Sequence, residues 1–268
     1  MLHSDPSAPD VVIEGVRITL PTLEVAAARA IDRAERGLGF TLFTLNLDHL
    51  VKLRVSPDFR SAYGRADLVT ADGWPIVWLA GRQNVPLQRA TGADLVEPLC
   101  QAAAARDLGL YFIGPGPKAQ AAALDKLSGR FTGLRVAGAE APRLPSGEGA
   151  QMLAAMDLQA MAQRITDSGA RLCFVSLGAP KQEILADALA PLCPEVGFIC
   201  VGAALDFIAG EARRAPGWMQ RSKLEWLWRL ANDPRRLAVR YGQCGLLFLG
   251  LALGLTGERA SASRGGQP

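Results

Sequence analysis

Apolar residues occur in short continuous runs that alternate with longer stretches of helical periodicity. The runs contain no alternation of apolar and polar positions, which is typical of strands buried on both faces of a parallel sheet. This rhythm predicts an α/β fold in which helices cover a parallel Rossmann-like sheet. The predicted strands are Phe40–Leu45, Asp67–Thr70, Gly109–Ile113, Leu134–Ala137, Arg171–Leu177 and Val196–Val201. The predicted helices are Thr22–Arg36, Val51–Ala66, Ala93–Ala105, Pro117–Ser128, Gln151–Ser168 and Pro180–Ala190.

Composition indicates an ordinary globular protein. The chain has 268 residues, of which 49% are apolar and 21% charged, so it can bury a core without disulfides or metals. Its five cysteines form no CxxC pair, which argues against a disulfide framework or a cysteine zinc site and favours a reduced cytosol. The polar N-terminus is unlike a secretory signal, and the longest apolar stretch, 245–255, is too short for a spanning helix.

The charge is unevenly distributed. Residues 213–240 contain eight basic and two acidic residues, so this segment carries +6 within a chain of net charge +3. Such asymmetry indicates an anionic partner, namely a membrane surface, a phosphate group or a nucleic acid. We therefore expect four regions: a flexible N-terminus (1–11), an α/β core (12–212), a basic, aromatic and helical appendage (213–258) and a disordered tail (259–268).

Candidate chemistry lies in the loops that follow strands, because α/β sheets bind ligands at the carboxyl ends of their strands. Thr44 and Asn46 follow the first predicted strand, where they could hold a sugar or phosphate; an Asx turn that caps a helix is the alternative. Asp72 ends the second predicted strand and could act as a general base; turn formation by Asp72 and Gly73 is the alternative.

Two later loops are glycine-containing. Gly178 precedes Pro180 at the predicted start of a helix, and Lys181 and Gln182 add donors, which together suit an anion. Ordinary helix capping beside a surface lysine is the alternative. Gly202 and Asp206 follow the last predicted strand, and here the alternative is a tight turn with a solvated carboxylate.

Other site types have little support. The segment Gly114–Ala119 has the loose form of a dinucleotide-binding loop, but its two prolines remove amide donors that would bind a pyrophosphate. His49 has no His or Cys partner at ligand spacing, and the chain has no Asp-x-Asp pair, no P-loop and no G-x-S-x-G motif. We therefore predict no metal site and no cofactor.

Seven segments in register resemble the WecG/TagA/CpsF family of bacterial glycosyltransferases. They are TLNLDHL (44–50), ADLVTADGWPIVW (66–78), RATGADL (89–95), YFIG (111–114), VSLGAPKQE (175–183), VGAALDFIAGEARRAPGW (201–218) and KLEWLWRLANDPRR (223–236). The resemblance extends from about Val12 to Tyr241. It implies a fold of the GT-E type and an inverting, metal-independent transferase.

The resemblance also implies substrates and roles. A sugar would pass from a UDP-sugar to an undecaprenyl-diphosphate-linked saccharide at the cytoplasmic face of the inner membrane, where the protein would be peripherally attached. Asp72 corresponds to the proposed base of the family, and Thr44 and Asn46 correspond to sugar-pocket residues. Arg89 corresponds to the arginine of the Arg-x-x-Gly-x-Asp-Leu string, and Gln182 to a residue near the nucleotide. The arginines that close over the diphosphate are best matched by Arg229 and Arg236.

The chain departs from the family pattern before Tyr241, where Val239-Arg240 replaces the frequent arginine pair, so that one diphosphate contact is missing or supplied by Arg235. The aromatic residues of this segment, together with the nearby arginines, suit a membrane interface: Trp218, Trp226, Trp228 and Tyr241. Packing of Trp226 and Trp228 against the sheet is the alternative. The sequence does not identify the donor sugar or the oligomeric state, and a homo-oligomer is compatible with it. It also leaves open whether 245–255 inserts in the bilayer or packs on the protein. The alternatives are a non-catalytic sugar-nucleotide-binding scaffold and a nucleic-acid binder; we expect no nucleic acid.

Overall fold

The computed structural model describes residues 11–145, 147 and 149–255, without the side chains of Gln220 and Arg236. The predicted tail 259–268 lies outside the described residues, as does the predicted N-terminal segment apart from Val11, which begins the first strand.

A six-stranded, all-parallel sheet forms the centre of the protein, with the strand order β4-β3-β8-β7-β5-β6. This confirms the predicted α/β class. A separate antiparallel hairpin of β1 and β2 precedes it and was not predicted. The strands are β1 (Val11–Ile13), β2 (Val16–Ile18), β3 (Phe40–Leu45), β4 (Leu68–Ala71), β5 (Gly109–Ile113), β6 (Val136–Glu140), β7 (Ala170–Val175) and β8 (Gly197–Cys200).

Helices cover both faces of the sheet, and three more form the appendage. The helices are α1 (Leu23–Glu35), α2 (Leu47–Val55), α3 (Pro57–Arg65), α4 (Trp74–Gly81), α5 (Gly92–Ala104), α6 (Pro117–Arg130), α7 (Ala150–Ala154), α8 (Leu158–Asp167), α9 (Lys181–Leu189), α10 (Ala204–Ala209), α11 (Gly217–Arg221), α12 (Glu225–Asn232) and α13 (Pro234–Ala252), with a 3-10 turn at Ala190–Leu192.

The two sides of the sheet bury separate cores, as its continuous apolar strands predict. On β3, Phe43 and Leu45 point into one core, while Phe40 and Leu42 point into the other. The first core lies under α2, α3 and α9, and the second lies under α1, α5 and α10. Because successive side chains of a strand face opposite ways, every position of β3 is buried, including Thr41 and Thr44.

Several helix boundaries differ from prediction because polar caps are local features. The stretch 51–66 is two helices, α2 and α3, separated by Ser56, whose hydroxyl caps α3 by accepting from the Phe59 amide. The stretch 151–168 is likewise divided, and Asp157 caps α8. Helix α9 begins at Lys181, so Pro180 is its N-cap residue and not its first helical residue.

The chain leaves β3 and β8 on opposite sides of the sheet. After β3 it enters α2, whose Leu50 and Leu53 lie in the first core, whereas after β8 it enters α10, whose Leu205 lies in the second. Neighbouring strands whose connections diverge in this way leave a crevice at their carboxyl ends, which is where α/β sheets bind ligands. The loops after β3, β4 and β8, which carry predicted site residues, therefore lie at the same edge of the sheet.

The appendage packs on the core through its last helix. Leu247 of α13 is buried in the first core, and Phe248 contacts Trp74 and Trp78 of α4 at ring-centroid distances of 6.0 and 5.3 Å. The Arg240 guanidinium lies 2.9 Å from the Asp48 carboxylate of α2. Within the described part of the chain, no helix is both long and apolar enough to cross a bilayer.

Candidate active site

Asp72 lies at the carboxyl end of β4, next to the crevice. Its amide donates to the Leu45 carbonyl at the end of β3, at 2.7 Å, so the ends of the two strands are held together. Gly73 follows with φ of 97°, a conformation that glycine adopts without strain, and α4 begins directly afterwards. This turn leaves the Asp72 carboxylate half-buried between the strand end and the appendage.

Asn46 holds the Asp72 carboxylate from the neighbouring strand. Its side-chain oxygen accepts from the His49 amide and so caps α2, and this fixes its orientation. Its amide nitrogen then faces Asp72 and donates to Oδ2 at 3.4 Å. The Asx-turn role and the functional role of Asn46 are therefore compatible, because each uses a different end of the same amide.

The surroundings of Asp72 make it a stronger base than an ordinary aspartate. Burial raises the pKa of Asp72 to about 6, against the opposing influence of Arg229, the Asn46 hydrogen bond and Arg89; Glu225 raises the pKa further. The carboxylate is still mostly ionised at neutral pH, so it can accept a proton and bind it more tightly than a solvated carboxylate would.

Arg89 joins a closed ring of four charges beside Asp72. The ring consists of Arg89, Asp94, Arg214 and Glu225, and hereafter it is called the charge ring. Its four contacts are 3.3 Å from Arg89 to Asp94, 2.6 Å from Asp94 to Arg214, 4.0 Å from Arg214 to Glu225 and 3.5 Å from Glu225 to Arg89. The side chains are 20 to 30% exposed, so water reaches them only partly.

The core segment that carries Arg89 and Asp94 is fixed to the sheet. The Ala90 amide donates to the Ala71 carbonyl at 2.9 Å, and the Thr70 hydroxyl donates to the Ala90 carbonyl at 2.8 Å. Gly92 begins α5 against β8, where an added Cβ would lie 2.6 Å from the Val201 Cα, so no larger residue fits without displacing backbone.

Arg229 connects the charge ring to Asp72. It donates to Glu225 Oε1 at 3.0 Å, four residues back on α12, and its guanidinium lies 5.6 Å from the Phe207 ring on α10. Arg229 is also close enough to lower the pKa of Asp72. The site thus brings together a carboxylate, an amide and two arginines that the sequence predicted: Asp72, Asn46, Arg89 and Arg229.

Gln182 lies buried beneath the loop that follows β8. It is 2% exposed; its side-chain oxygen accepts from the Gly202 amide at 3.0 Å, and its nitrogen donates to Glu183 at 2.7 Å. Both polar ends are bonded inside the protein, so Gln182 fixes the loop after β8. Gly202 is held a second time by the Ser176 hydroxyl, which donates to its carbonyl.

Behind this loop lies a buried polar cluster of Glu183, His49 and Tyr63. Glu183 is fully buried, and its Oε1 lies 3.9 Å from His49 Nε2, while His49 Nδ1 is 2.6 Å from the Tyr63 hydroxyl. Burial raises the pKa of Glu183 to about 7 and lowers the pKa of His49 to about 3. His49 is therefore a neutral hydrogen-bonding residue at physiological pH.

The remaining predicted residues lie around this centre. Thr44 is buried on β3 opposite Thr70 in the strand register, and Gly178 (φ of 74°) follows β7. Lys181 and Asp206 are half-buried on α9 and α10, and within the described chain neither forms an ion pair or hydrogen bond with Asp72 or the charge ring. Arg236 is on α13, and its side chain lies outside the described part.

Asp94, Arg214 and Glu225 were not predicted as site residues. Asp94 lies in RATGADL and Glu225 in KLEWLWR, so both were within the quoted segments, and Arg214 was counted only as basic charge. The sequence did contain a signal for Glu225: it is an acidic residue in a strongly basic, helical segment, and it lies four residues before Arg229, at the spacing of a helical ion pair.

Among the described residues, no three His, Cys, Asp or Glu side chains converge as a metal site would require. The five cysteines are all buried and free. A sequence model of the glycosyl transferase WecG/TagA/CpsF family matches residues 11–261, which is nearly the whole chain and includes both the crevice and the appendage.

Proposed function

The chain belongs to the WecG/TagA/CpsF family of glycosyltransferases, and we propose that it transfers a sugar from a UDP-sugar to an undecaprenyl-diphosphate-linked saccharide, with inversion and without a metal. The observation that carries this proposal is the position of Asp72, a half-buried base held by Asn46 beside Arg89 and Arg229 at the sheet crevice. Surface-polysaccharide or exopolysaccharide synthesis would use this reaction.

The chemistry requires one base and one site for a leaving anion. The acceptor hydroxyl attacks the anomeric carbon and its proton passes to Asp72, while the bond from that carbon to the UDP oxygen breaks and its electron pair leaves with UDP. A single displacement of this kind inverts the anomeric centre. The raised pKa of Asp72 suits this transfer, because the proton must be taken from a weakly acidic alcohol.

The negative charge that develops on the diphosphate needs cationic groups fixed in advance. Arg89 and Arg229 both lie close enough to influence the pKa of Asp72, and guanidinium groups can bind phosphate oxygens through two parallel hydrogen bonds. We assign this neutralisation to the two arginines, which is the basis for proposing metal independence. The backbone of the loop after β8, fixed through Gly202, forms the adjoining wall of the donor site.

Peripheral membrane attachment belongs to the same proposal. Leu246 and Leu249 of α13 and Leu253 of the turn after it are 73, 56 and 67% exposed. Leu246 and Leu249 share one side of the helix, and Trp218 is 58% exposed on α11. An apolar helix face with aromatic and basic neighbours suits the headgroup layer of an anionic leaflet. The opposite face of α13 packs on the core, so this helix would lie along the surface.

The deciding experiment offers a panel of UDP-sugars and a short-chain lipid-diphosphate saccharide to the full chain, with magnesium and with a chelator. We expect release of UDP with one donor and an extended lipid product of inverted configuration in both conditions. Donor binding without transfer would support the alternative, a non-catalytic sugar-nucleotide-binding scaffold. A strict requirement for magnesium would contradict the assignment of the arginines.

A further inference from the structure

The charge ring joins the α/β core to the appendage, and each contributes one cation and one anion. Arg89 and Asp94 belong to the core, whereas Arg214 and Glu225 belong to the appendage. The positive and negative charges alternate around the ring. Every anion of the ring therefore faces two arginines, one from each part of the chain.

The hydrogen bonding of the two acids is divided in the same manner. Asp94 accepts from Arg214 with Oδ1 and from the Thr91 hydroxyl with Oδ2, which also faces Arg89. Glu225 accepts from Arg229 with Oε1, while Oε2 faces Arg89. The Glu225 carboxylate thus contacts both Arg229 and the core residue Arg89. The direction of the Arg229 side chain therefore depends on where the core holds this carboxylate.

Other contacts between the appendage and the core near Asp72 include two cation–π contacts, from Lys223 to the Trp74 ring at 4.8 Å and from Arg229 to the Phe207 ring at 5.6 Å. Trp228 Nε1 donates to the Arg213 carbonyl, which lies within the appendage itself, and Trp226 packs against Tyr241 of α13. Trp226, Leu227 and Arg229 are all exposed. Every residue of α12 is at least partly exposed, so apolar contacts hold this helix only weakly, whereas the charge ring joins Glu225 of α12 to Asp94 of α5 through two arginines.

From this geometry we infer that Glu225 and Asp94 are positioning residues that close the appendage over the crevice. The charge ring holds α12 against the core and thereby places Arg229 beside Asp72. This inference rests on the proposed function, because it assigns Arg229 to the donor diphosphate. It adds a condition to that function: the donor site is complete only while the ring is closed.

The test is a double-mutant cycle on the full-length protein, with hydrogen exchange measured in the absence of UDP. The variants are Glu225→Gln, Asp94→Asn and the double variant, with Glu97→Gln as a matched control, since Glu97 lies on α5 and pairs with Arg130 away from the ring. Hydrogen exchange of the α12 amides reports closure, and titration with UDP reports donor-site completeness. Exchange of the β7 and β8 amides reports whether the fold is intact.

We expect each single variant to speed α12 exchange and to weaken UDP binding by roughly tenfold, the usual scale for losing a charged hydrogen-bond partner. The two acids do not touch each other, yet both contact Arg89 and Arg214, so the double variant should lose much less than the product of the two single effects. Glu225→Asp, which retains the charge, should recover part of the UDP affinity, and Glu97→Gln should behave like the wild type.

Two outcomes would overturn the inference: α12 exchange that is unchanged in Glu225→Gln, or effects of the two substitutions on α12 exchange that simply multiply. Both are independent of the proposed activity, because exchange is measured without substrate. Absence of sugar transfer in the wild-type protein would instead refute the proposed function, and leave the exchange result to decide whether the ring closes the appendage.

Discussion

The side-chain amide of Asn46 donates to the Asp72 carboxylate across two neighbouring strand ends, at 3.4 Å. The two residues are 26 positions apart, and parallel pairing of β3 with β4 brings them together. Their contact divides the catalytic task between a base and the group that orients it, and each can be altered separately.

Replacing Asp72 with Asn should abolish transfer and spare donor binding. A positioned base contributes about 10²- to 10⁴-fold to the rate, and an amide cannot take up the acceptor proton. UDP affinity, measured by titration calorimetry, should change little, because the arginines remain. Near-normal turnover by Asp72→Asn would show that the proton goes elsewhere.

The pH dependence of transfer should report the raised pKa of Asp72. Activity should decline below about pH 6 as the base becomes protonated. The Asn46 hydrogen bond lowers the pKa, so Asn46→Ala should raise it and move the acidic limb of the kcat profile to higher pH. Asn46→Ala also removes the N-cap of α2. Ser56→Ala, which removes the N-cap of α3, is the matched control for the loss of a cap. An acidic limb that stays in place in Asn46→Ala would separate Asp72 from the titration.

Substituting Arg229 with Gln should lower kcat/KM for the donor by roughly 10²-fold, the scale for losing one group that stabilises developing negative charge. Arg221 is an exposed arginine in the last turn of α11, so Arg221→Gln removes an equal charge from the appendage on a different helix from Glu225 and Arg229. Steady-state kinetics should show the large loss in the first variant alone. Equal losses in both would mean that the appendage acts through its net charge.

Glu183 should make the folded protein less stable as the pH rises. Its pKa is about 7 in the folded state, above the ordinary value of 4.5, so the folded protein holds a proton that the unfolded chain releases. The resulting stabilisation is complete below about pH 4.5 and is lost as the pH rises through 7. Glu183→Gln keeps the acceptor for Gln182 and removes the titration, so its melting temperature should exceed that of the wild type at pH 8 and approach it at pH 5.

The control for that measurement is Glu195→Gln, which alters an exposed acid paired with Arg171. Its melting temperature relative to the wild type should be nearly the same at both values of pH. A pH-independent difference for Glu183→Gln would indicate that Glu183 is ionised in the folded protein.

Serine substitution of Leu246, Leu249 and Leu253 together should weaken binding to vesicles that contain anionic phospholipid. A leucine that becomes fully buried contributes about 1.5–3 kcal/mol, so even partial insertion of three predicts at least a tenfold loss in a sedimentation assay. Val55, which is 77% exposed on α2, provides the control Val55→Ser. Unchanged vesicle binding by the triple variant would exclude this face of α13 as the contact.

Much of the fold followed from local pattern. The six sheet strands were predicted because continuous apolar runs need burial on both faces, and β3 and β5 were predicted to the residue. The β1–β2 hairpin was missed because each strand has only three residues. Helix divisions at Ser56 and Asp157 were missed because caps interrupt a pattern that otherwise continues.

The sequence by itself determined the strands of a parallel sheet, the loops that carry polar side chains and the basic character of the C-terminal segment, since each depends on neighbours along the chain. Only the tertiary structure decided which of these residues share a site. It buried Gln182 inside the protein, and it joined Arg89 and Asp94 to Arg214 and Glu225, more than 100 positions away. Such pairing depends on how the strands are ordered and how the appendage docks, because charges attract whatever opposite charge the fold brings near, at any separation in sequence.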